Sequence, residues 1–185
     1  MSTITLFRHA CVDIKKYDNI FASEFGLWID EYNTSNIKES VQNRDTIFKI
    51  LDEADIIFCS ELKRSIESVN LFDKSATHIN ELFNEVELPY ASWSFIRLKP
   101  SLWLIIFRIL WFLGYSKNVE SYHSAKKRAK LAAKMLIDLS NNDKNIILMG
   151  HGLMNKLIIK ELLVCNYTKT RSSGNKNWSY SILSR

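Results

Sequence analysis

Three short apolar runs, each ending in polar or reactive residues, most constrain this chain. Thr3–Arg8 is apolar and β-branched and leads into His9. Ala54–Cys59 reads ADIIFC and leads through Ser60 to Arg64. Asn145–Met149 reads NIILM and leads into Gly150-His151-Gly152. Apolar runs of this length, bounded by turn residues, have the pattern of buried strands. Helical periodicity lies between them. Helices are predicted over 21–32, with Ser23 as N-cap and Leu27, Ile29 and Tyr32 as the inner stripe, and over 41–53. Another is predicted over 63–73, with Ile66, Val69, Leu71 and Phe72 inward. A lysine-rich helix over 121–140 would carry an inner stripe of Ala125, Ala129, Ala132, Ala133 and Leu136, and a last helix would run over Leu153–Val164. Thr77–Phe83 reads as a short strand and Trp178–Leu183 as an edge strand. Strand–helix alternation implies an α/β fold: a three-layer α/β/α sandwich around a mostly parallel sheet. With two prolines, five glycines and no visible linker, one domain over 1–185 is expected.

In such sheets ligands sit beyond the carboxyl ends of the strands. Arg8, His9, Arg64, His151 and the start of a helix would then share one rim. That set suits a phosphoryl group. Guanidinium forks match phosphate oxygens, a helix N-terminus offers unpaired N–H groups, and histidine serves as nucleophile or proton carrier near neutral pH. Singly, each residue has a plainer reading: a hydrogen-bonded structural histidine, a surface arginine, a turn. Their joint placement at strand ends carries the argument.

Charge is uneven. Residues 1–95 hold 9 basic and 16 acidic side chains, and residues 96–185 hold 16 basic and 4 acidic ones. A basic half attracts anions, and phosphorylated metabolites, nucleic acid and anionic lipid all fit, as does a merely solvated lysine face. No recognisable nucleic-acid motif accompanies it, so no nucleic-acid partner is expected. Cys11, Cys59 and Cys165 form no disulfide framework and no metal-ligand spacing, which fits reduced thiols in the cytoplasm. Cys11 reads as a small buried hydrophobe. The run Leu102–Leu113, LWLIIFRILWFL, has 12 residues and contains Arg108, whereas a bilayer span needs roughly 20 apolar residues. It reads as a buried or interface helix. Trp103, Phe107, Trp111 and Phe112 are core, a substrate wall or a homodimer surface.

Other phosphate chemistries fail on spacing. A cysteine phosphatase loop needs five residues between Cys and Arg, and Cys59 and Arg64 have four. No GxxxxGK[ST] or GxSxG is present.

The residues as they stand resemble the histidine phosphatase superfamily, the phosphoglycerate-mutase-like proteins. LFRHA resembles the Arg-His-Gly opening, with Ala10 where the family usually has glycine. Ser60-Glu61-Leu62-Lys63-Arg64 resembles the S-x-L-x-R segment, and Phe83-Asn84-Glu85 the segment carrying the acid/base carboxylate. Leu148-Met149-Gly150-His151-Gly152 resembles the strand and turn with the second histidine. HGLMNKL and Asn177-Trp178 are similar to one bacterial subgroup. The motifs occur in family order. The resemblance implies a phosphatase acting on a small phosphorylated substrate, with no cofactor and no metal. His9 would form a phosphohistidine, Arg8, Arg64 and His151 would hold the phosphoryl oxygens, and Glu85 would serve as acid and base. It also implies a cap-like insertion around 86–125. From the residues alone, Glu81, Glu85 and Glu87 share one parity on an extended segment, and periodicity does not choose among them. A phosphoglycerate-mutase-type transferase and a silent phosphate-binding module are the competing readings. The short chain favours the phosphatase over the first, and the full set of site residues disfavours the second.

Overall fold

A computed structural model describes residues 2–140 and 144–185. Its main sheet has six strands, and β2 (Ile20–Phe21) and β5 (Arg97–Leu98) form a separate antiparallel pair. β1 (Thr3–Arg8) pairs in parallel with β6 (Asn145–Gly150), β6 with β3 (Ile56–Cys59), and β3 with β4 (His78–Ile79). On its other side β1 pairs antiparallel with β8 (Tyr180–Ser184), and β8 pairs with β7 (Thr168–Ser172). The order is β4-β3-β6-β1-β8-β7. Because β3, β6 and β1 are neighbours, their carboxyl ends lie side by side.

Strand periodicity of two divides the core. Ile4, Leu6, Ile146 and Leu148 face α5 (Tyr122–Ser140) and α6 (Gly152–Val164). Phe7, Ile147, Met149 and Ile57 face the layer holding α2 (Arg44–Asp52) and α3 (Lys63–Asn70), where Ile47, Leu51 and Val69 are buried. The chain is thus a mostly parallel sheet between two helical layers. All five predicted stripe residues of α5 are buried, and four of them are alanines, whose small side chains leave room for the neighbouring elements to approach closely. A third cluster joins α1 (Phe25–Thr34) to α4 (Pro100–Phe112) through Phe25, Trp28, Trp103 and Phe107. Trp103 donates its indole N–H to Ile20 O at 2.8 Å, and Trp111 donates to Glu120 O at 2.7 Å. These rings are core, so no substrate wall is formed from them.

The structure differs from the sequence reading at several elements. Ser23 does not cap a helix. A 3₁₀ turn, Ala22–Glu24, precedes α1, and Glu24 reaches back to accept from Phe21 N–H at 2.8 Å. The buried positions of α1 are Phe25 and Trp28, while Leu27 is 74% exposed. Thr77–Phe83 is not one strand. After β4, Asn80 Oδ1 accepts from Leu82 N–H and starts a 3₁₀ turn at Glu81–Phe83. The C-terminal strand lies inside the sheet, because β7, which has no apolar pattern and is fully exposed, covers its far side. Among the described residues no helix is long and apolar enough to cross a membrane.

Candidate functional site

His9 extends the β1 ladder by one bond, donating its backbone N–H to Gly150 O at 3.0 Å. Its side chain is 3% exposed. Nδ1 lies 2.6 Å from the Ala10 carbonyl, which can only accept, so Nδ1 carries the proton and Nε2 keeps its lone pair. Asn177 clamps the backbone here, donating to His9 O at 2.9 Å and Ala10 O at 3.0 Å. Ala10 donates to Ser68 Oγ at 2.8 Å and has no positive φ, so the alanine fits where the related motif has glycine.

His151 stands at the other strand end, its ring centre 5.1 Å from that of His9. It is fully buried, and Nε2 meets Ser60 Oγ at 2.6 Å. Arg64, 4% exposed, projects from the first turn of α3. Asn33 Oδ1 accepts from its Nη1 at 2.7 Å, and the guanidinium lies over the Tyr32 ring at 5.1 Å. Arg8 donates to Asn175 O at 2.6 Å. Among the described residues, Arg8 Nε, Arg64 Nε and His151 Nδ1 are buried without a hydrogen-bond partner. Buried polar nitrogens without partners are uncommon in native proteins. These three come from three elements, and all belong to neighbours of His9: its ring lies 5.1 Å from that of His151, and the charges of Arg64 and Arg8 act on it. A cavity of about 140 Å³ is lined by Arg8, His151, Gly152, Asn155 and Lys156, among others, but not by His9, Arg64 or Glu85.

The three candidate carboxylates are placed differently. Glu81 and Glu87 are exposed, whereas Glu85 turns toward the start of α6. Its oxygens accept from Leu153 N–H at 3.2 Å and Met154 N–H at 3.0 Å. A carboxylate is favoured at a helix N-terminus by the orphan donors and the dipole. A side chain at Gly152 would contact both the Arg8 guanidinium, at 3.5 Å, and Glu85 Oε2, at 3.8 Å, so arginine and carboxylate flank one glycine. Two further arginines hold the segment by its carbonyls. Arg128 donates to Leu82 O at 3.0 Å and Asn84 O at 2.7 Å, and Arg108 donates to Val86 O at 3.0 Å. Arg128 is itself paired with Glu120.

All five residues singled out in the sequence, Arg8, His9, Arg64, Glu85 and His151, therefore meet at one rim. Cys11 is exposed, not buried, because it lies just past the turn where the chain leaves the sheet. The supporting residues Asn33, Arg108, Arg128 and Asn175 have no local sequence signature, whereas Ser60, Asn155 and Asn177 sit in stretches that resemble family or subgroup motifs.

Electrostatics follow from burial. Loss of water lowers the His9 pKa from 6.5 to about 3, and nearby Arg64 and Arg8 add to this, while the bond to Ala10 O opposes it. His151 is pushed down by the same burial and by the same arginines. Both rings are neutral at pH 7. Stability should therefore fall with acid. Above about pH 6.5 the His9 ring is neutral in both native and unfolded chains. Between that pH and about 3 the unfolded chain binds a proton that the native ring does not, so native stability declines over that window. His9 alone would contribute up to about 5 kcal/mol of loss at the acid end. The thermal midpoint should drop steadily as pH falls through this window, and less steeply in a His9→Ala variant. A flat profile in the wild-type protein would contradict the buried neutral ring.

Gly150 is tied to the same geometry. A Cβ there would collide with the Asn155 carboxamide, which accepts from His151 N–H at 3.3 Å and donates to Phe7 O at 2.8 Å. Gly150→Ala should cost about 2 kcal/mol by overpacking. At this chain length that is roughly 4–8 °C in thermal midpoint, measured by calorimetry. An unchanged midpoint would mean that Asn155 gives way freely.

The family model of the histidine phosphatase superfamily (branch 1) matches residues 48–185, a span with Arg64, Glu85 and His151 but not Arg8 or His9. No curated protein matches the sequence significantly. Solved structures match over the whole chain. Mycobacterial glucosyl-3-phosphoglycerate phosphatase in complex with VO3 superposes with a TM-score of 0.61 at 13% identity, covering 100% of this chain and 93% of that one. The protein of an open reading frame from Mycobacterium tuberculosis gives 0.60 at 13% identity, covering 98% and 90%. A phosphoserine phosphatase from Entamoeba histolytica, in complex with 3-phosphoglyceric acid, gives 0.58 at 16% identity, again covering 98% and 90%. At such identities the likeness establishes the fold, while the family match, over more than half of the sequence, establishes kinship. On these grounds the chain belongs to the histidine phosphatase superfamily.

Proposed function

We propose that the protein is a metal-independent phosphatase that hydrolyses a small phosphomonoester through a phosphohistidine on His9. The observation that carries this reading is the set of unpartnered buried nitrogens, Arg8 Nε, Arg64 Nε and His151 Nδ1, on neighbours of His9, whose Nε2 is unprotonated. A phosphoryl group supplies the missing acceptors. It also explains why cationic and neutral donors are held inward by Asn33, Asn175 and Ser60 with no carboxylate paired to Arg8 or Arg64 among the described residues.

In the first step the Nε2 lone pair attacks phosphorus and the ester P–O bond breaks. Glu85, as the carboxylic acid, gives its proton to the departing alkoxide oxygen. The arginines and His151 offset charge on the equatorial oxygens, the work done by metal ions in other phosphoryl transferases. In the second step water attacks the phosphohistidine and the N–P bond breaks. The Glu85 carboxylate takes the water proton, and inorganic phosphate leaves with His9 neutral again. Neighbours with this fold include phosphatases of a glucosylated phosphoglycerate and of phosphoserine, both small phosphomonoesters, which supports the substrate class. The segment 86–125 forms the cap of this site in the same reading.

The test is to trap the intermediate. Purified protein is mixed with an aryl phosphate in EDTA and quenched in base, which spares phosphohistidine. Mass spectrometry should find one phosphoryl group on the peptide containing His9. Turnover without that adduct, or with an adduct elsewhere, would overturn the mechanism.

A further inference from the structure

Helix α4 is anchored by its inner row, Trp103, Phe107 and Trp111, all 2% exposed or less. The two indole bonds to Ile20 and Glu120 fix its rotation. Its other side is therefore held outward, and that side is apolar too. Leu102, Ile105, Ile109, Phe112 and Leu113 are 45–79% exposed, and Phe95, in the loop before the helix, is 80% exposed. Their spacing follows the turn of the helix, so they form one continuous stripe. A soluble helix normally turns a polar face outward, and contiguous apolar patches of this kind mark interaction sites.

The charge around the stripe identifies what it meets. Between Glu87 and Glu120 there is no acidic residue, while Arg97, Lys99, Arg108 and Lys117 lie in that interval. Lys99 precedes the helix as its N-cap and Lys117 follows it, and both are exposed. At the far end Phe112 packs edge-on against Tyr122, and Lys126 lies over the Tyr122 ring at 5.9 Å. The stripe is thus bracketed by cations at both ends. A second copy of the chain would bring like charges together. A surface with apolar depth and negative headgroups matches both features. A helix of 13 residues is about 20 Å long, too short to span a bilayer and suited to lying in its interface.

We propose that α4 docks the protein on an anionic lipid surface, with Leu102, Ile105, Ile109, Phe112 and Leu113 entering the acyl boundary and Lys99, Lys117 and Lys126 meeting the headgroups. The partner is a membrane rather than another protein, because cations stand at both ends of the apolar stripe and no acidic residue lies between Glu87 and Glu120.

The test is flotation of the full chain with vesicles of phosphatidylcholine containing about one third phosphatidylglycerol, beside vesicles of phosphatidylcholine alone. The protein should float with the anionic vesicles and remain behind with the neutral ones. Binding should weaken as salt shortens the screening length. Ile105→Glu/Ile109→Glu should lower partitioning at least roughly tenfold, because two charges enter the acyl boundary. Lys99→Ala and Lys117→Ala should each lower it roughly fivefold. Both sets alter exposed side chains, and an unchanged thermal midpoint reports an intact fold. Three results would overturn the proposal. They are no flotation with anionic vesicles, equal flotation of the Ile105→Glu/Ile109→Glu protein, and a dimer in sedimentation that this variant dissolves while vesicles stay unbound.

Discussion

Replacing His9 with alanine is expected to lower turnover of any phosphomonoester by roughly 10⁴-fold or more, about 5 kcal/mol of barrier or more. The loss is large because in the proposed mechanism the two half-reactions share this one atom, and the unpartnered nitrogens beside it, His151 Nδ1 included, act there as donors to the phosphoryl group. His151 Nε2 is engaged with Ser60 Oγ, and Cys59 is buried, with its thiol pKa pushed up to about 11. Phosphate or vanadate affinity should survive the change, since Arg8, Arg64 and His151 remain. Steady-state kinetics with isothermal titration separates the two effects. Loss of anion binding together with turnover would mean that His9 holds the cage together, and undiminished turnover would remove it from the chemistry.

Glu85→Gln should be the second largest effect, roughly 10²–10⁴ in kcat, the range for a positioned acid–base group. Glutamine keeps the shape, and its one amide oxygen can still accept from Leu153 or Met154 N–H, though not through two oxygens as the carboxylate does, so the thermal midpoint should fall only slightly. It cannot give or take the proton. The deficit should depend on the leaving group. An alkyl phosphate, whose alkoxide must be protonated, should lose the full factor in the first step. A nitrophenyl phosphate, whose leaving group departs as an anion, should accumulate phosphoenzyme because only the second step is slowed. Glu81→Gln and Glu87→Gln, on exposed side chains, should leave both rates within twofold. An equal loss for the two substrates, with no accumulation, would place the proton elsewhere.

The parts of this molecule that were legible in the sequence are those whose causes are local. β1, β3 and β6 are apolar runs, and the polar residues after them stand at the rim because strands end there. The alanine stripe of α5 predicts its buried face because helical spacing and small size both point the same way. Where the reading fails, the cause is distant in the chain. Glu81, Glu85 and Glu87 share a parity only if the backbone stays extended, and the Asn80 cap ends that extension before Glu81. β7 is placed by its pairing with β8, and its sequence TKTRS carries no inward-facing apolar residue. Asn33, Asn175 and Asn177 look like surface polar residues until the fold brings them to Arg64, Arg8 and His9. Asn33 and Asn177 act through their carboxamides and Asn175 through its backbone carbonyl, contacts that no spacing rule encodes.

The position of β1 also governs how the protein is made. Its neighbours are Asn145–Gly150 on one side and Tyr180–Ser184 on the other, so Thr3 pairs with Asn145 and with Ser184. β1 is therefore completed only once β6 and β8, made much later, have appeared. Until then its apolar residues Ile4, Leu6 and Phe7 and two unpaired edges await partners well over one hundred residues downstream. Closing such long loops is slow, and open edges invite pairing with other chains. Synthesis rate and chaperone supply, more than final stability, would then limit the yield of folded protein. The same delay keeps His9 apart from His151 and Asn177 until those later segments have been made.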